Sequence, residues 1–147
     1  DDYFGEFHLT IKNNRNKQMK HSQLAGIVIT LILIGACFLP WSYIADENWL
    51  ITGMNTMGTP YGKPGIIHIA LGIVAIICFA IQKLWSKRTN LFICAMNIAW
   101  TVRNFLLLST CAAGECAEKK YGLYLVVVAS VLMFVMACLP KIPVKES

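Results

Sequence analysis

The chain has 147 residues, of which 56% are hydrophobic and only 14% are charged, and its formal net charge is +5. Soluble domains carry about a quarter charged residues, so this composition argues against an ordinary water-soluble domain. The basic residues cluster on one side of the predicted topology, which anionic lipid headgroups explain better than nucleic acid does. The lipid bilayer is therefore the predicted partner, and nucleic acid is not.

Residues 1–23 are predicted to form a polar cytoplasmic segment before the apolar part of the chain. Met19-Lys20 has the form of a translation start, and the residues of 13–18 (NNRNKQ) are what an A-rich leader would encode. Two interpretations of residues 1–18 therefore stay open. They are either a genuine polar tail or a translated leader that is not native.

Four apolar runs follow, each near the roughly 17–25 residues that cross a hydrocarbon core of about 30 Å. The predicted spans are about 24–44, 66–84, 91–108 and 121–139. Lipid offers no hydrogen-bond partner to the backbone, so all four spans should be helices. The predicted fold is an all-α integral membrane four-helix bundle over residues 24–139, followed by a cytoplasmic tail, 140–147.

The distribution of basic residues orients this bundle. Nine Lys and Arg residues lie beside the two termini and between the second and third spans, whereas the other two loops hold three. By the positive-inside rule both termini are cytoplasmic, as expected for a multi-pass plasma-membrane protein. Aromatic residues near the span ends, including Trp41 and Trp85, are expected in the headgroup belts.

Two cysteines, Cys111 and Cys116, lie in the second outer loop, in a compartment that permits disulfides. A disulfide between them would hold spans three and four together at their outer ends, with Gly114 supplying the flexibility that the short ring needs. A structural disulfide is the favoured interpretation, and a redox-active pair is the main alternative. A metal site would need more ligands than this loop provides, so none is predicted.

Arg103 is the one charged residue in the third predicted span, 91–108. An intramembrane arginine is costly and marks a candidate functional site. It could bind a small anion or lipid headgroup, pair with Asp46 or Glu47 of the first outer loop, or extend outward to the headgroups. Trp100 is one turn away on the same face, which predicts a cation–π contact.

A polar stripe runs along the same span. Cys94, Asn97, Thr101 and Asn104 recur at i, i+3, i+7 and i+10, the spacing of a seam that bonds across helices. His68 enters the second span at a similar outer depth, and as a lone histidine it is expected to be hydrogen-bonded, not catalytic. The candidate polar pocket therefore comprises Arg103, Asn104, His68, Asn97 and Thr101.

No catalytic residue and no cofactor is predicted. All eight acidic residues lie outside the predicted spans, which argues against proton- or cation-coupled transport. The chain also lacks a phosphate-binding glycine-rich loop, a zinc-protease motif and a haem attachment motif.

Two short motifs carry a family resemblance: Phe38-Leu39-Pro40-Trp41 after the first span, and Gly122-Leu123-Tyr124-Leu125 opening the fourth. With the Gly/Pro-rich outer loop they make the chain resemble small, uncharacterised four-span inner-membrane proteins of bacteria. This resemblance implies a location in the inner membrane and a four-span architecture. It implies no activity.

The chain is also similar in architecture to the DsbB and vitamin K epoxide reductase-like quinone oxidoreductases. That likeness implies a membrane thiol–quinone oxidoreductase acting through Cys111 and Cys116. The spacing here is Cys-x4-Cys instead of Cys-x-x-Cys, however, and residues 45–65 contain no cysteine to relay electrons. The leading hypothesis is therefore a non-catalytic accessory or interaction protein with membrane-protein partners. The oxidoreductase and the anion or headgroup binder at Arg103 are the alternatives.

Overall fold

The computed structural model describes residues 21–45, 48–56, 62–81, 83–110 and 117–139. In chain order the elements are α1 His21–Ala36, β1 Pro40–Ile44, β2 Trp49–Thr52, α2 Pro64–Ala80, α3 Leu84–Ser109, β3 Glu118–Lys119 and α4 Tyr121–Cys138. The prediction of a mainly helical fold is confirmed. The small β-sheet corrects the all-α prediction.

The helices pack as an antiparallel bundle. Helix α3 packs against both α2 and α4. Helix α1 contacts α2 where Gly26 lies against the Phe79 ring, and it reaches α4 where Ser22 Oγ donates to the Met136 carbonyl oxygen at 3.5 Å. Because successive helices alternate in direction, α1 and α3 begin at the end of the bundle where α2 and α4 finish. The sheet occupies the opposite end.

Helix α1 ends eight residues before the end of the predicted first span, 24–44. The N–H groups of Cys37, Phe38 and Leu39 each bond to a carbonyl three residues back, at 3.2, 3.1 and 3.3 Å, which is the tighter turn of a helix terminus. Pro40 then stops the helix, because it has no N–H to donate and its ring disfavours helical backbone at the preceding residue. The rest of the predicted span forms strand β1.

The sheet joins the two predicted outer loops. Its strand order is β2-β1-β3 and all pairs are antiparallel, with Ser42 of β1 opposite Ile51 on one side and Lys119 on the other. Ser42 Oγ donates to the Glu118 carbonyl oxygen at 3.2 Å, which strengthens the short β1–β3 pairing. One end of the bundle is thus closed by hydrogen-bonded backbone, where the sequence predicted only turns.

A β-bulge turns Trp41 into the bundle. The register between β1 and β2 shifts between Pro40 and Ser42, so Trp41 is the extra residue. Bulges of this kind redirect a side chain relative to a regular strand. Trp41 is fully buried, and its indole N–H donates to the Ala36 carbonyl oxygen at 2.8 Å. This corrects the prediction that Trp41 lies in a headgroup belt.

The buried apolar residues form two clusters. Trp41, Leu108 and Val126 belong to the cluster below the sheet, and Phe79 and Met133 belong to the cluster toward the other end. On α4, the buried Ser130 lies between Val126 and Met133, so a layer of polar side chains separates the two clusters.

Two of the described helices, α3 and α4, are long and apolar enough to cross a membrane. Helices α1 and α2 are also apolar but shorter. In the most apolar 18 residues of α3 and α4, only 28% and 33% of the residues are buried. Most residues of these two segments therefore contribute to the outer surface of the bundle.

Candidate functional site

Five polar side chains from three helices meet inside the bundle and form one hydrogen-bonded cluster, called here the polar network. Its members are His68 of α2, Asn97, Thr101 and Asn104 of α3, and Ser130 of α4. Each is between 0% and 4% exposed. A network this well buried must satisfy its own donors and acceptors, because an unpaired polar group in such a place is costly.

Helix geometry places these side chains. On α3, the positions of Asn97, Thr101 and Asn104 follow the i, i+4, i+7 pattern that keeps residues on one helix face. Helix α2 begins at Pro64, whose fixed φ suits the first turn, and His68 follows one turn later. Ser130 lies in the middle of α4, on the face that packs against α3.

His68 is bonded through both ring nitrogens. Its Nδ1 lies 2.7 Å from Asn97 Oδ1, and its Nε2 lies 3.4 Å from Asn104 Nδ2. An amide oxygen only accepts, so the ring proton is on Nδ1 and Nε2 accepts from the Asn104 amide. Both contacts fit a neutral imidazole, whereas an imidazole protonated on both nitrogens would keep the bond to Asn97 and lose the one from Asn104.

The chain of hydrogen bonds continues from Asn97 into α4. Asn97 Nδ2 donates to Ser130 Oγ at 3.2 Å, and Ser130 Oγ donates to the Val126 carbonyl oxygen at 2.7 Å. Thr101 Oγ1 donates to the Asn97 carbonyl oxygen at 2.8 Å and lies 2.8 Å from Ser130 Oγ, a contact in which either hydroxyl can donate. The network links α2, α3 and α4 without using a charge.

Trp41 covers the histidine from the sheet side. Its ring and that of His68 are 5.9 Å apart between centroids, at an interplanar angle of 72°, an edge-to-face arrangement. Because Trp41 is fixed by its own bond to Ala36, the bulge of β1 is coupled to the polar network.

The side chains of the network bond to one another and to nearby backbone carbonyl oxygens. Its hydroxyl and imidazole groups are used in internal bonds, and in the described part of the chain Ser109 Oγ is the only buried side-chain nitrogen or oxygen without a partner. The described residues also contain no group of three or more His, Cys, Asp or Glu side chains that could hold a metal ion. The arrangement can hold helices in register.

The structure brings together four of the five residues of the predicted pocket: His68, Asn97, Thr101 and Asn104. Arg103 lies on the outer surface of α3 and has no bond to the network, although it lines a small cleft together with Asn104. It is exposed, and its guanidinium lies 4.6 Å from the centroid of the Trp100 ring, the cation–π contact that the spacing predicted. The other candidate residues, Asp46, Glu47, Cys111 and Cys116, lie outside the described residues.

Sequence reasoning missed two participants, Trp41 and Ser130. Ser130 had a signal, since it is the only serine or threonine in the charge-free run from Tyr121 to Leu139. A single hydroxyl in the middle of an apolar helix often forms a hydrogen bond to a neighbouring helix. Trp41 had no such signal, because its inward direction depends on the bulge.

Comparison with known proteins found no match to this chain among protein-family models, curated proteins or solved structures. The resemblances to small four-span inner-membrane proteins and to thiol–quinone oxidoreductases therefore stay predictions.

Proposed function

We propose that the chain is a four-span protein of the inner (plasma) membrane with both termini in the cytoplasm. It has no chemistry of its own and acts as an accessory or interaction protein for other membrane proteins. The observation that carries this proposal is that the bundle has an apolar outer surface and a hydrogen-bonded polar network buried between its two apolar clusters.

The outer surface is the first half of this argument. Phe92 and Leu106 of α3 are 64% and 59% exposed, and Val128 of α4 is 53% exposed. Similar exposed side chains lie on α1 and α2, among them Leu24 and Ile77. Apolar surface on this scale far exceeds the patches that soluble monomers expose, whereas a hydrocarbon solvent favours it.

The interior is the second half. The large buried polar side chains include Asn97, Asn104 and His68, and His68 bonds to both asparagines. Helix association in a membrane relies on packing and on hydrogen bonds between helices, because lipid is as apolar as leucine and provides no hydrophobic drive. The polar network has the composition that this kind of association requires.

The dimensions and charges are consistent with four crossings. The 17 residues of α2 span about 26 Å at 1.5 Å per residue, close to a hydrocarbon core of about 30 Å. Lys83, Lys87 and Arg88 lie at the end of the bundle opposite the sheet, so the positive-inside rule assigns the sheet to the outer side. Only Lys63, Lys119 and Lys120 are basic at the sheet end.

The side chains of the polar network are all hydrogen-bonded within the bundle, and this favours an interaction role over an enzymatic one. Ser109 Oγ, near the end of α3, is the only buried side-chain nitrogen or oxygen of the described residues that has no hydrogen-bond partner. A chain whose interior bonds are all internal offers its surfaces for function. We therefore favour binding to another membrane protein through the sheet or the lipid-facing helices.

The first prediction tests the membrane assignment. After alkaline carbonate washing, the full chain should stay in the membrane fraction. Reporters placed after Lys20 and after Ser147 should both register cytoplasm, because nine basic residues against three orient the spans. An external signal at either terminus would contradict the orientation, and release of the chain by carbonate would contradict membrane insertion altogether.

The second prediction separates this proposal from the thiol–quinone oxidoreductase. Cys111 and Cys116 should form a disulfide that resists alkylation until it is reduced. Replacing both by serine should lower the thermal midpoint in detergent by a few degrees without preventing insertion, since a ring this short gains only modest closure entropy. Rapid reoxidation of the reduced pair by an added quinone would contradict the structural role and favour the enzyme.

A further inference from the structure

Arg103 and Trp100 form a paired element on the surface of α3. The guanidinium lies 4.6 Å from the centroid of the indole ring, and the indole N–H donates to the Pro64 carbonyl oxygen at 3.1 Å. The indole is therefore anchored to the first turn of α2. This anchoring gives an exposed arginine a defined position.

The cation–π contact with Trp100 uses none of the N–H donors of the arginine. A guanidinium over a ring uses its face, while its five N–H donors point outward in its own plane. This fork matches two oxygens of a phosphate group. A lysine at the same position would present a point charge without the fork.

A small cleft lies beside this pair. It is lined by Arg103, Asn104, Thr56, Pro64 and Ile51, and it holds about 10 Å³, room for about one water-sized group. Asn104 connects the cleft to the polar network through its bond to His68. A phosphate oxygen entering the cleft would meet the amide of Asn104 as well as the guanidinium.

The charge of Arg103 has no counterion in the described part of the chain. The only carboxylate there is Glu118, which pairs with Lys120 at 3.1 Å. Arg103 lies six residues before the end of α3, about 9 Å along the helix axis. Its neighbours Val102 and Leu106 are exposed and apolar, so a ligand here would meet one cation beside a hydrocarbon-like surface.

We propose that Arg103, Trp100 and the adjoining cleft bind a phosphate anion, with the guanidinium donating hydrogen bonds to two phosphate oxygens. The phosphodiester of an anionic phospholipid is the source that the flanking apolar surface favours, and free phosphate is the other source of the same chemistry. The lipid form rests on the proposed membrane location, whereas the phosphate chemistry does not.

The experiment measures lipid retained by the purified full chain in detergent. Phosphatidylglycerol and phosphatidylcholine of identical acyl chains are titrated separately, and the protein-bound lipid is counted by native mass spectrometry. The variants are Arg103→Gln, Arg103→Lys and Arg88→Gln. Arg88 is the matched control, because it is an exposed arginine of the same helix at its opposite end. Size-exclusion elution and helical circular dichroism confirm that each variant is folded.

The wild type should bind its first phosphatidylglycerol more tightly than phosphatidylcholine. Arg103→Gln should weaken that binding about tenfold, the scale of losing a charged hydrogen-bonding pair, and Arg88→Gln should change it less than about twofold. Arg103→Lys should fall between these values because it keeps the charge but loses the fork and most of the stacking. Equal losses for Arg103→Gln and Arg88→Gln, or no loss for Arg103→Gln, would overturn the site.

A second arm identifies the source of the phosphate. Inorganic phosphate is added to the lipid-free protein, and binding is followed by isothermal titration for the wild type and Arg103→Gln. Arg103-dependent binding of inorganic phosphate without a preference for phosphatidylglycerol supports the site and assigns it to free phosphate. If the membrane proposal is wrong, carbonate washing will release the chain. If only this site is wrong, the Arg103→Gln protein will remain in the membrane and its binding of lipid and phosphate will be unchanged.

Discussion

Gly122→Ala should destabilise the protein by about 2–3 kcal/mol, although alanine is the better helix former. Gly122 is buried in the first turn of α4, where that turn meets β1. A Cβ there would overlap the Pro40 carbonyl oxygen and would lie 3.0 Å from Leu39 Cβ. These are mostly backbone contacts, so relief requires the strand to move away from the helix. The free energy of unfolding from a mild detergent, measured by titration with a denaturing detergent, checks this value.

Gly35→Ala is the matched control. Gly35 is an exposed residue of α1, and a Cβ added to it meets nothing within 4 Å. The change should stabilise the protein by about 0.5–1 kcal/mol, because it removes backbone freedom from the unfolded chain. A loss of stability at Gly122 together with a gain at Gly35 would attribute the loss to the close approach of β1 to α4. Equal stabilities of the two variants would show that β1 does not dock on α4 as described.

Asn97→Leu should cost about 2 kcal/mol, because it leaves the buried Nδ1–H of His68 without its acceptor and removes one donor from Ser130. His68→Leu should cost a similar amount by leaving Asn97 Oδ1 without its donor and Asn104 Nδ2 without its acceptor. The double variant should lose well under the sum of the two, since it removes a donor together with its acceptor. The resulting coupling energy is expected near 1 kcal/mol in the same detergent titration.

Met96→Leu serves as the control for this cycle. Met96 precedes Asn97 on α3 but faces outward and is half exposed, so its replacement should change stability by less than about 0.5 kcal/mol. Additive losses for Asn97→Leu and His68→Leu would mean that the two side chains do not depend on each other. The polar network would then contribute nothing beyond independent buried groups.

The predicted pocket shows how far sequence alone can locate the site. Helical spacing on α3 identified Asn97, Thr101 and Asn104 as one face, and their burial agrees with it. Arg103 was assigned to the same pocket because its predicted depth in the membrane is similar. Depth does not say which way a side chain points around the helix axis. Each residue turns the helix by about 100°, so Arg103 and its neighbour Asn104 face different surroundings. One lies on the surface of the bundle and the other inside.

The sequence by itself determined that the chain is mainly helical, because charge-free apolar runs and helical spacing are local properties. Even the early end of α1 is local in origin, since Pro40 cannot continue a helix. The β-sheet is not local. It pairs Ser42 with Lys119 across about half of the chain, through strands of two to five residues that carry little pattern of their own.

Tertiary structure alone decided which polar groups meet. Ser130 is a partner of Asn97 only because α4 packs against α3, and Trp41 covers His68 only because a bulge redirects it after β1 pairs with β2. A hydrogen bond between helices depends on the rotation of each helix about its axis and on their relative axial shift. The spacing of residues along one helix gives neither. The packing of three helices and one strand fixes both, and with them the bonding of the buried histidine.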